Sequence, residues 1–191
     1  MKTTAAAIST SLILSAAALS LAAALILAFP TPGFTAGSYS TRTTLLQNQD
    51  YAETLLRGIR EARREIIFSF YLFKMSKSRG NKPREIATEL VKAKKRGVDV
   101  TVILEKGSNP NDQLNAENRA TAEYLANGGV KVFFDSPRVT THTKVAVIDS
   151  RFVYLGSHNL TQSALQHNNE LSVLLDSPEI AAEVKSWLDH L

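Results

Sequence analysis

The chain has 191 residues with 22 Lys and Arg, 18 Asp and Glu, 9 Gly, 6 Pro and no Cys, which gives a formal net charge of +4. This length allows one domain with a substantial core and is too short for two catalytic domains. The lack of cysteine excludes disulfide frameworks, cysteine-ligated zinc and cysteine nucleophiles, and the ordinary charge content argues against a disordered chain.

The first segment of the chain differs from the rest because it is apolar. No charged side chain occurs from Thr3 to Ser40, and residues 5–29 consist mainly of Ala, Leu, Ile and Ser. This run is longer than the ~7–15-residue core of an export signal and can span a bilayer of roughly 30 Å. Two interpretations stay open, a cleaved signal peptide and a retained membrane anchor. Both predict a leader over residues 1–36, a working domain over residues 37–191, and a location outside the cytoplasm, either periplasmic or secreted or anchored to the membrane.

Helical and strand patterns alternate through the working domain. The predicted elements are, in chain order, a helix over 49–64, a strand over 65–73, a helix over 83–96, a strand over 98–104, a helix over 113–127, strands over 130–134, 143–148 and 152–155, a short helix over 160–166, a strand over 171–175 and a helix from 178 to 191. Helices that alternate with apolar strands predict an α/β fold, with a mixed β-sheet sandwiched by helices in one domain.

A stretch between the first predicted strand and the second predicted helix is strongly basic. It contains no acid and five cations, which are Lys74, Lys77, Arg79, Lys82 and Arg84. Charge alone favours a solvated loop. If a phosphate site lies nearby, the same stretch becomes a candidate contact for a polyanion.

The first candidate catalytic side chains belong to an HxKxxxxD pattern, which His142, Lys144 and Asp149 form. His142 and Lys144 are two apart on an extended segment and therefore point to the same side. The apolar residues 145–148 continue the strand into the core. We therefore expect the two polar side chains at the exposed start of that strand.

Two more polar segments follow. Residues 156–159 have the sequence GSHN, in which Ser157 and Asn159 offer short hydrogen-bonding groups, and Glu170 supplies a carboxylate before the last predicted strand. A His, a Lys, a Ser and an Asn that converge would surround a tetrahedral anion, so the sequence predicts a phosphate site. For the isolated histidines a surface or capping role is favoured over catalysis; these are His158, His167 and His190.

Together these patterns resemble the phospholipase D superfamily and its HKD motif, from about Asp50 to the end of the chain. Larger members carry two such motifs, whereas this chain carries one. The resemblance is therefore to the short Nuc-like endonucleases and the mitochondrial cardiolipin hydrolase type, and it implies a homodimer that shares its active site at the two-fold axis. The lack of cysteine removes the zinc-binding insert of some mitochondrial-type members and favours the Nuc-like group.

The resemblance also implies roles for these residues. His142 of one subunit attacks phosphorus to form a phosphohistidine, and His142 of the other protonates the leaving oxygen. Lys144, Ser157 and Asn159 bind the phosphate oxygens, and Glu170 accepts a hydrogen bond from the His142 ring.

Asp149 completes the motif, but we expect it to lie too far from His142 to contact it. It lies seven residues from His142, ~23 Å along a straight strand at about 3.3 Å per residue, which predicts a structural or dimer-contact role. No metal or other cofactor is expected, since Lys144 supplies the cations.

Three substrate classes stay open. The first is nucleic acid, DNA or RNA, cleaved without sequence specificity, with the basic stretch on neighbouring phosphates. The second is an anionic or zwitterionic phospholipid, cardiolipin or phosphatidylcholine, for which possible membrane attachment through residues 5–29 would hold the site near a bilayer. The third is a non-catalytic dimer that binds phosphate.

Overall fold

A seven-stranded mixed sheet forms the centre of the fold in the computed structural model, which describes residues 37–136 and 138–191. The strands are β1 (Arg42–Gln47), β2 (Glu65–Phe70), β3 (Asp99–Leu104), β4 (Lys131–Phe134), β5 (Lys144–Ile148), β6 (Phe152–Gly156) and β7 (Leu171–Asp176). Their order across the sheet is β1-β7-β6-β5-β2-β3-β4. The strands β2, β3 and β4 are parallel to one another, and the remaining neighbours are antiparallel.

Five helices accompany the sheet: α1 (Gln49–Glu61), α2 (Lys82–Lys95), α3 (Gln113–Asn127), α4 (Gln162–Gln166) and α5 (Pro178–Leu188). The larger core cluster joins one sheet face to α1, α2, α3 and α4, and a smaller cluster joins the other face to α5. This confirms the predicted α/β fold, a mixed sheet between helices. The described domain forms one compact unit from Tyr39 to Leu191.

Two details differ from the sequence analysis. The edge strand β1 was missed because its alternation carries little hydrophobic signal: of its six residues only Leu46 is buried. The strand β2 ends at Phe70 rather than at residue 73, and Phe73 instead forms an isolated parallel bridge with Leu160. The chain therefore leaves the sheet just after Tyr71, next to the predicted site.

The predicted leader, residues 1–36, lies outside the described residues, and so does its proposed membrane segment. Among residues 37–136 and 138–191, no helix has both the length and the apolar character needed to cross a bilayer.

Candidate active site

The site around His142 lies along the edge of the sheet that the strand ends form, at the point where the central strand β5 begins and its neighbour β2 ends. Because these strands are antiparallel, Lys144 at the start of β5 is paired with Phe70 at the end of β2. Just beyond this pair, the backbone N–H of Tyr71 donates to the carbonyl of Thr143 over 2.9 Å. The sheet ladder thus extends to the residue directly after His142 and fixes its backbone.

His142 and Lys144 come together as their spacing predicts. The Lys144 Nζ lies 3.3 Å from His142 Nδ1 and 3.5 Å from Nε2, and it donates to the His142 carbonyl over 3.1 Å. The imidazole is exposed, whereas Lys144 is buried. Burial lowers the pKa of Lys144, and the negative charge of Glu170 opposes that shift. The result is a buried ammonium in contact with a ring that solvent can reach.

Tyr71 lies beside both His142 and Lys144. Sequence patterns alone did not identify it. Its ring centroid lies 4.5 Å from that of His142 at an interplanar angle of 58°, and the Lys144 Nζ lies 5.3 Å from the Tyr71 ring. An aromatic face at this distance attracts the ammonium and restricts both side chains. The only signal in the sequence was the position of an aromatic residue near the end of an apolar strand.

Ser157 and Glu170 form a second part of the site. The Ser157 hydroxyl donates to Glu170 Oε2 and accepts from the backbone N–H of Leu171 over 3.1 Å. The Asn168 amide donates to the other oxygen of Glu170 over 3.1 Å. Glu170 makes no hydrogen bond to His142 within the described residues of one chain, since Ser157 and Asn168 occupy its carboxylate. The contact that the motif implied is therefore absent from the single subunit.

Asn48, a second missed residue, holds Glu170 in place. The Asn48 Oδ1 accepts from the backbone N–H of Glu170 over 2.9 Å, and the Asn48 N–H donates to the Glu170 carbonyl over 3.0 Å. Asn48 has a φ of 50° and a ψ of −114°, a positive-φ conformation outside the αL region that favours glycine over residues with a Cβ. Asn48 occupies the N-cap position of α1, yet its side chain makes no capping hydrogen bond to the helix. Its Oδ1 accepts from the Glu170 N–H instead.

The GSHN segment places Asn159 beside the same edge, and its glycine permits close strand packing. A Cβ at Gly156 would lie 2.5 Å from the backbone Cα of Ser172, so only glycine allows β6 and β7 to approach here. The Asn159 Oδ1 is buried and has no hydrogen-bond partner among the described residues. A buried acceptor without a donor is typical of a group that meets ordered water or a donor on a ligand.

Asp149 lies at the opposite end of β5 from His142. Its Oδ1 accepts from the backbone N–H groups of Arg63, Arg64 and Glu65 over 3.2, 2.8 and 3.2 Å. The carboxylate thus organises the turn from α1 into β2. This is a structural role, one of the two that the length of the strand predicted, and within the described residues Asp149 contacts neither His142 nor Lys144. A dimer-contact role for Asp149 stays a prediction.

The other histidines differ in environment. His158 is fully buried, stacks on Tyr51 with ring centroids 4.3 Å apart, and lies 2.9 Å from the carbonyl of Asn48 and 2.7 Å from the Ser172 hydroxyl. A carbonyl only accepts, so the His158 Nε2 carries the proton, and burial lowers the pKa of the ring. His158 is structural, although it is a core residue rather than a surface one. His167 and His190 occur at helix ends.

The basic stretch is partly neutralised. Lys74 pairs with Glu117 over 2.8 Å and Lys82 with Glu85 over 3.1 Å. The guanidinium of Arg84 lies 5.4 Å from the Tyr124 ring centroid. Two of the five candidates, Lys77 and Arg79, are exposed and have no acidic partner within the described part of the chain.

A polar cavity of about 400 Å³ opens beside this stretch. Its walls carry cations, hydroxyls and amides, from Lys74, Ser76, Ser78, Arg79, Asn81, Thr161, Gln162 and Ser163. The backbone N–H of Lys74 donates to the carbonyl of Leu160 over 2.9 Å, which fastens one wall to the segment directly after Asn159. The residues that line the cavity therefore follow Tyr71 and Asn159 within a few positions in the chain. No group of three or more metal-ligating side chains occurs in the residues the structure describes.

Comparison with known proteins gives a family match. Residues 55–191 match the family described as the PLD-like domain of cardiolipin synthase. Among curated proteins, phospholipase D of Rickettsia conorii is 30% identical over 107 residues, which are 55% of this chain and 50% of that protein. The chain spans about half or less of the length of the curated relatives that it matches.

Two solved structures cover most of the domain. Nuc of Salmonella typhimurium, a phospholipase D family member, is 27% identical with a TM-score of 0.62, over 79% of this chain and 91% of that one. NucT of Helicobacter pylori is 25% identical with a TM-score of 0.64, over 79% of this chain and 95% of that one.

Proposed function

This chain belongs to the family of cardiolipin synthase PLD-like domains, and on that premise we propose that it is a hydrolase of phosphodiesters with His142 as its nucleophile. The observation that supports this most is the 3.3 Å contact between Lys144 Nζ and His142 Nδ1 at an exposed edge of the sheet. An ammonium at this distance from the attacking ring reaches the non-bridging oxygens of an incoming phosphate. There it offsets the negative charge that builds in the transition state.

The reaction proceeds in two steps with no metal. A ring nitrogen of His142 forms a P–N bond while the P–O bond to the leaving group breaks, and the second His142 donates a proton to that oxygen. Water then attacks phosphorus, the P–N bond breaks, and the second His142 takes the proton of the water. The amide N–H₂ of Asn159 is our candidate donor to the phosphate oxygens from the same subunit, because the Asn159 Oδ1 can only accept. The Ser157 hydroxyl donates to Glu170 and would have to exchange that bond to bind a phosphate oxygen.

The second His142 comes from a second copy of the chain. A patch of exposed apolar side chains supports this, and we call it the sheet patch: Leu45, Leu155 and Leu171, which are 52%, 45% and 54% exposed. Leu155 and Leu45 both pair with Val173, and Leu171 lies two residues before it, so all three share one face. This is the α5 face, but α5 packs on Val145, Val147 and Val153 instead. The sheet patch directly adjoins Ser157 and Glu170, which is where a two-fold partner has to meet the site.

The substrate that fits the site best is a polynucleotide. The polar cavity is lined by Thr161 to Ser163, which follow Asn159 in the chain, and by the exposed cation Arg79; the exposed Lys77 lies two residues before Arg79. A polymer with a phosphate at every residue offers a second phosphate to these groups, whereas a single lipid headgroup does not. We therefore propose a sequence-nonspecific endonuclease.

Lipid hydrolysis is the second candidate. The family description and the name of the Rickettsia conorii relative both refer to phospholipid enzymes. The uncharged run over residues 5–29 also suits a protein that works at a bilayer.

One experiment separates these candidates. The full-length protein in mild detergent is incubated in EDTA with plasmid DNA, single-stranded RNA, and vesicles of cardiolipin or phosphatidylcholine, alongside His142→Ala. The nuclease proposal predicts cleavage of nucleic acid that His142→Ala abolishes, with intact lipid. Headgroup release alone would establish the lipid enzyme, and phosphate binding with no cleavage would establish the binding dimer. His167→Ala is the matched control and retains activity.

We also propose that the domain works outside the cytoplasm, because of the uncharged leader. Cell fractionation with mass analysis of the protein tests this. Recovery of the protein in the cytoplasmic fraction would contradict it.

A further inference from the structure

Two buried carboxyl groups lie behind the segment that carries His142. Glu105 directly follows β3 and Asp135 directly follows β4, and they are 3% and 7% exposed. Because β3 and β4 are parallel and pair Leu104 with Phe134, their ends bring the two acids to the same edge of the sheet as the site. The backbone N–H of Glu105 also bonds to the carbonyl of Phe70 at the end of β2.

In the described residues, backbone N–H groups reach only two of the four oxygens of this pair. Glu105 Oε2 accepts from the backbone N–H of Thr141 over 2.7 Å, and Asp135 Oδ1 accepts from the N–H of Lys106 over 2.8 Å. Asp135 Oδ2 is buried with no donor among the described residues. The two acids follow the paired residues Leu104 and Phe134, and burial followed by the neighbouring Asp135 carboxyl raises the pKa of Glu105 to about 7. Two adjacent buried carboxylates are costly unless one is protonated.

We propose that Glu105 and Asp135 share one proton, donated from Glu105 Oε1 to Asp135 Oδ2, and that this pair positions His142 through Thr141. The proton satisfies the one unpaired oxygen. It leaves Glu105 Oε2 free to hold the Thr141 N–H, one residue before the nucleophile. Glu105 and Asp135 are positioning residues rather than catalytic ones, and their effect on turnover rests on the proposed function.

Among residues 37–136 and 138–191, the surroundings of the pair offer it no counter-charge. Asp112 at the start of α3 adds further negative charge. From α3, the neutral Asn118 donates to the carbonyl of Glu105 over 3.0 Å. Lys106 contributes its backbone N–H, and within the described part of the chain no Lys or Arg side chain forms an ion pair with either carboxyl. Loss of the shared proton therefore leaves two facing negative charges unopposed.

The pH dependence follows from this arrangement. The pKa of Glu105 in the folded protein lies above its ordinary value, so folding takes up a proton between the two. The contribution of the pair to stability is complete at pH values below the ordinary Glu range and is lost as the pH rises toward about 7. Above that range the contact opens and the hold on Thr141 weakens.

Isosteric amides test the shared proton. In Glu105→Gln the amide oxygen accepts from Thr141 and the amide N–H₂ donates to Asp135, and in Asp135→Asn the corresponding amide donates to Glu105. Each single variant keeps both bonds without a titrating proton, and we expect its kcat at about pH 6 to stay within roughly threefold of wild type. The double variant Glu105→Gln with Asp135→Asn turns two N–H₂ groups toward each other, and we expect its kcat to fall at least roughly tenfold, beyond the sum of the singles. A double variant no worse than that sum would overturn the shared proton.

Two readouts address positioning. The wild-type kcat on a chromogenic phosphodiester falls as the pH rises above about 7, whereas Glu105→Gln loses that decline. The NMR shift of the Thr141 amide in the full-length protein titrates with the same midpoint and does not titrate in Glu105→Gln. Because the NMR titration needs no substrate, it tests the pair even if the proposed activity fails. A Thr141 amide that does not respond, or that responds equally in Glu105→Gln, would overturn the proposal.

Discussion

The side chain of Asn48 accepts a hydrogen bond from the backbone N–H of Glu170 over 2.9 Å, although 122 positions separate the two residues. A second bond runs from the Asn48 N–H to the Glu170 carbonyl. This pair ties the turn between β1 and α1 to the segment before β7. Since Glu170 in turn accepts from Ser157, the position of the carboxylate in the site depends on a residue remote from every motif.

Substitution of Asn48 tests this dependence. Asn48→Ala removes the acceptor and keeps a side chain with a Cβ at the φ of 50°, and we expect a loss of about 2 kcal/mol in the free energy of unfolding. Asn48→Gly relieves the backbone and removes only the bond, with an expected loss of about 1 kcal/mol. Both variants reduce kcat roughly tenfold because Glu170 shifts. Urea unfolding and steady-state kinetics measure the two effects, and an unchanged kcat in both variants would refute the link.

Asp149 is expected to affect stability and not chemistry. Its carboxylate accepts from three consecutive backbone N–H groups at the far end of β5. Asp149→Ala leaves these groups unpaired and is expected to destabilise the domain by about 3 kcal/mol, with kcat per folded molecule unchanged. Asp149→Asn keeps one acceptor and tolerates the φ of 55°, so it serves as the milder control. A large loss of kcat in folded Asp149→Asn would contradict this assignment.

The exposed and the paired cations of the basic stretch are expected to behave differently. Alanine at Lys77 and Arg79 removes two charges that are free to meet phosphates, so affinity for DNA falls and the slope of log K against log salt decreases by about two. Alanine at Lys74 and Lys82 removes the same net charge from groups already paired with Glu117 and Glu85. The two double variants are each combined with His142→Ala, which prevents cleavage. Their affinities for DNA are then compared by filter binding or fluorescence anisotropy over a range of salt concentrations. Equal slopes for the two double variants would show that the exposed pair has no special role.

The sheet patch provides a test of the dimer. Leu45→Lys places a charge on β1 within the patch, and we expect it to convert dimers to monomers and to abolish activity. Phe133→Lys is the matched control. Phe133 is 55% exposed, but it lies on β4, the outermost strand on the side of the sheet opposite β1. Analytical ultracentrifugation measures the oligomeric state of each variant, and a phosphodiester cleavage assay measures its activity. A monomeric wild-type protein with full activity would rule out a site shared between chains.

Sequence patterns predicted most of the fold because nearly every element carries its own hydrophobic signal. The helix over 113–127 agrees with α3 at both ends, and Lys144 to Ile148 is buried along its whole length. The strand β1 gave little signal, since its partner β7 rather than its own burial holds it in the sheet. Local patterns report burial well and long-range pairing poorly.

The site was predicted only where its residues are close in sequence. His142 and Lys144 share one strand, so their contact followed from the twofold period. Tyr71, Asn48 and the pair of Glu105 and Asp135 reach the site through tertiary contacts. Each looks like an ordinary strand-end or turn residue until the sheet order brings it to the same edge.

The central claim is that His142 becomes covalently phosphorylated during turnover. The most direct measurement uses a slow phosphodiester substrate, rapid quenching into alkaline denaturant, which preserves a P–N bond, and peptide mass spectrometry of the full-length protein. We predict a phosphate adduct on His142 that appears before product release and is absent from His142→Ala. Turnover by the wild-type protein with no adduct at His142 would contradict it.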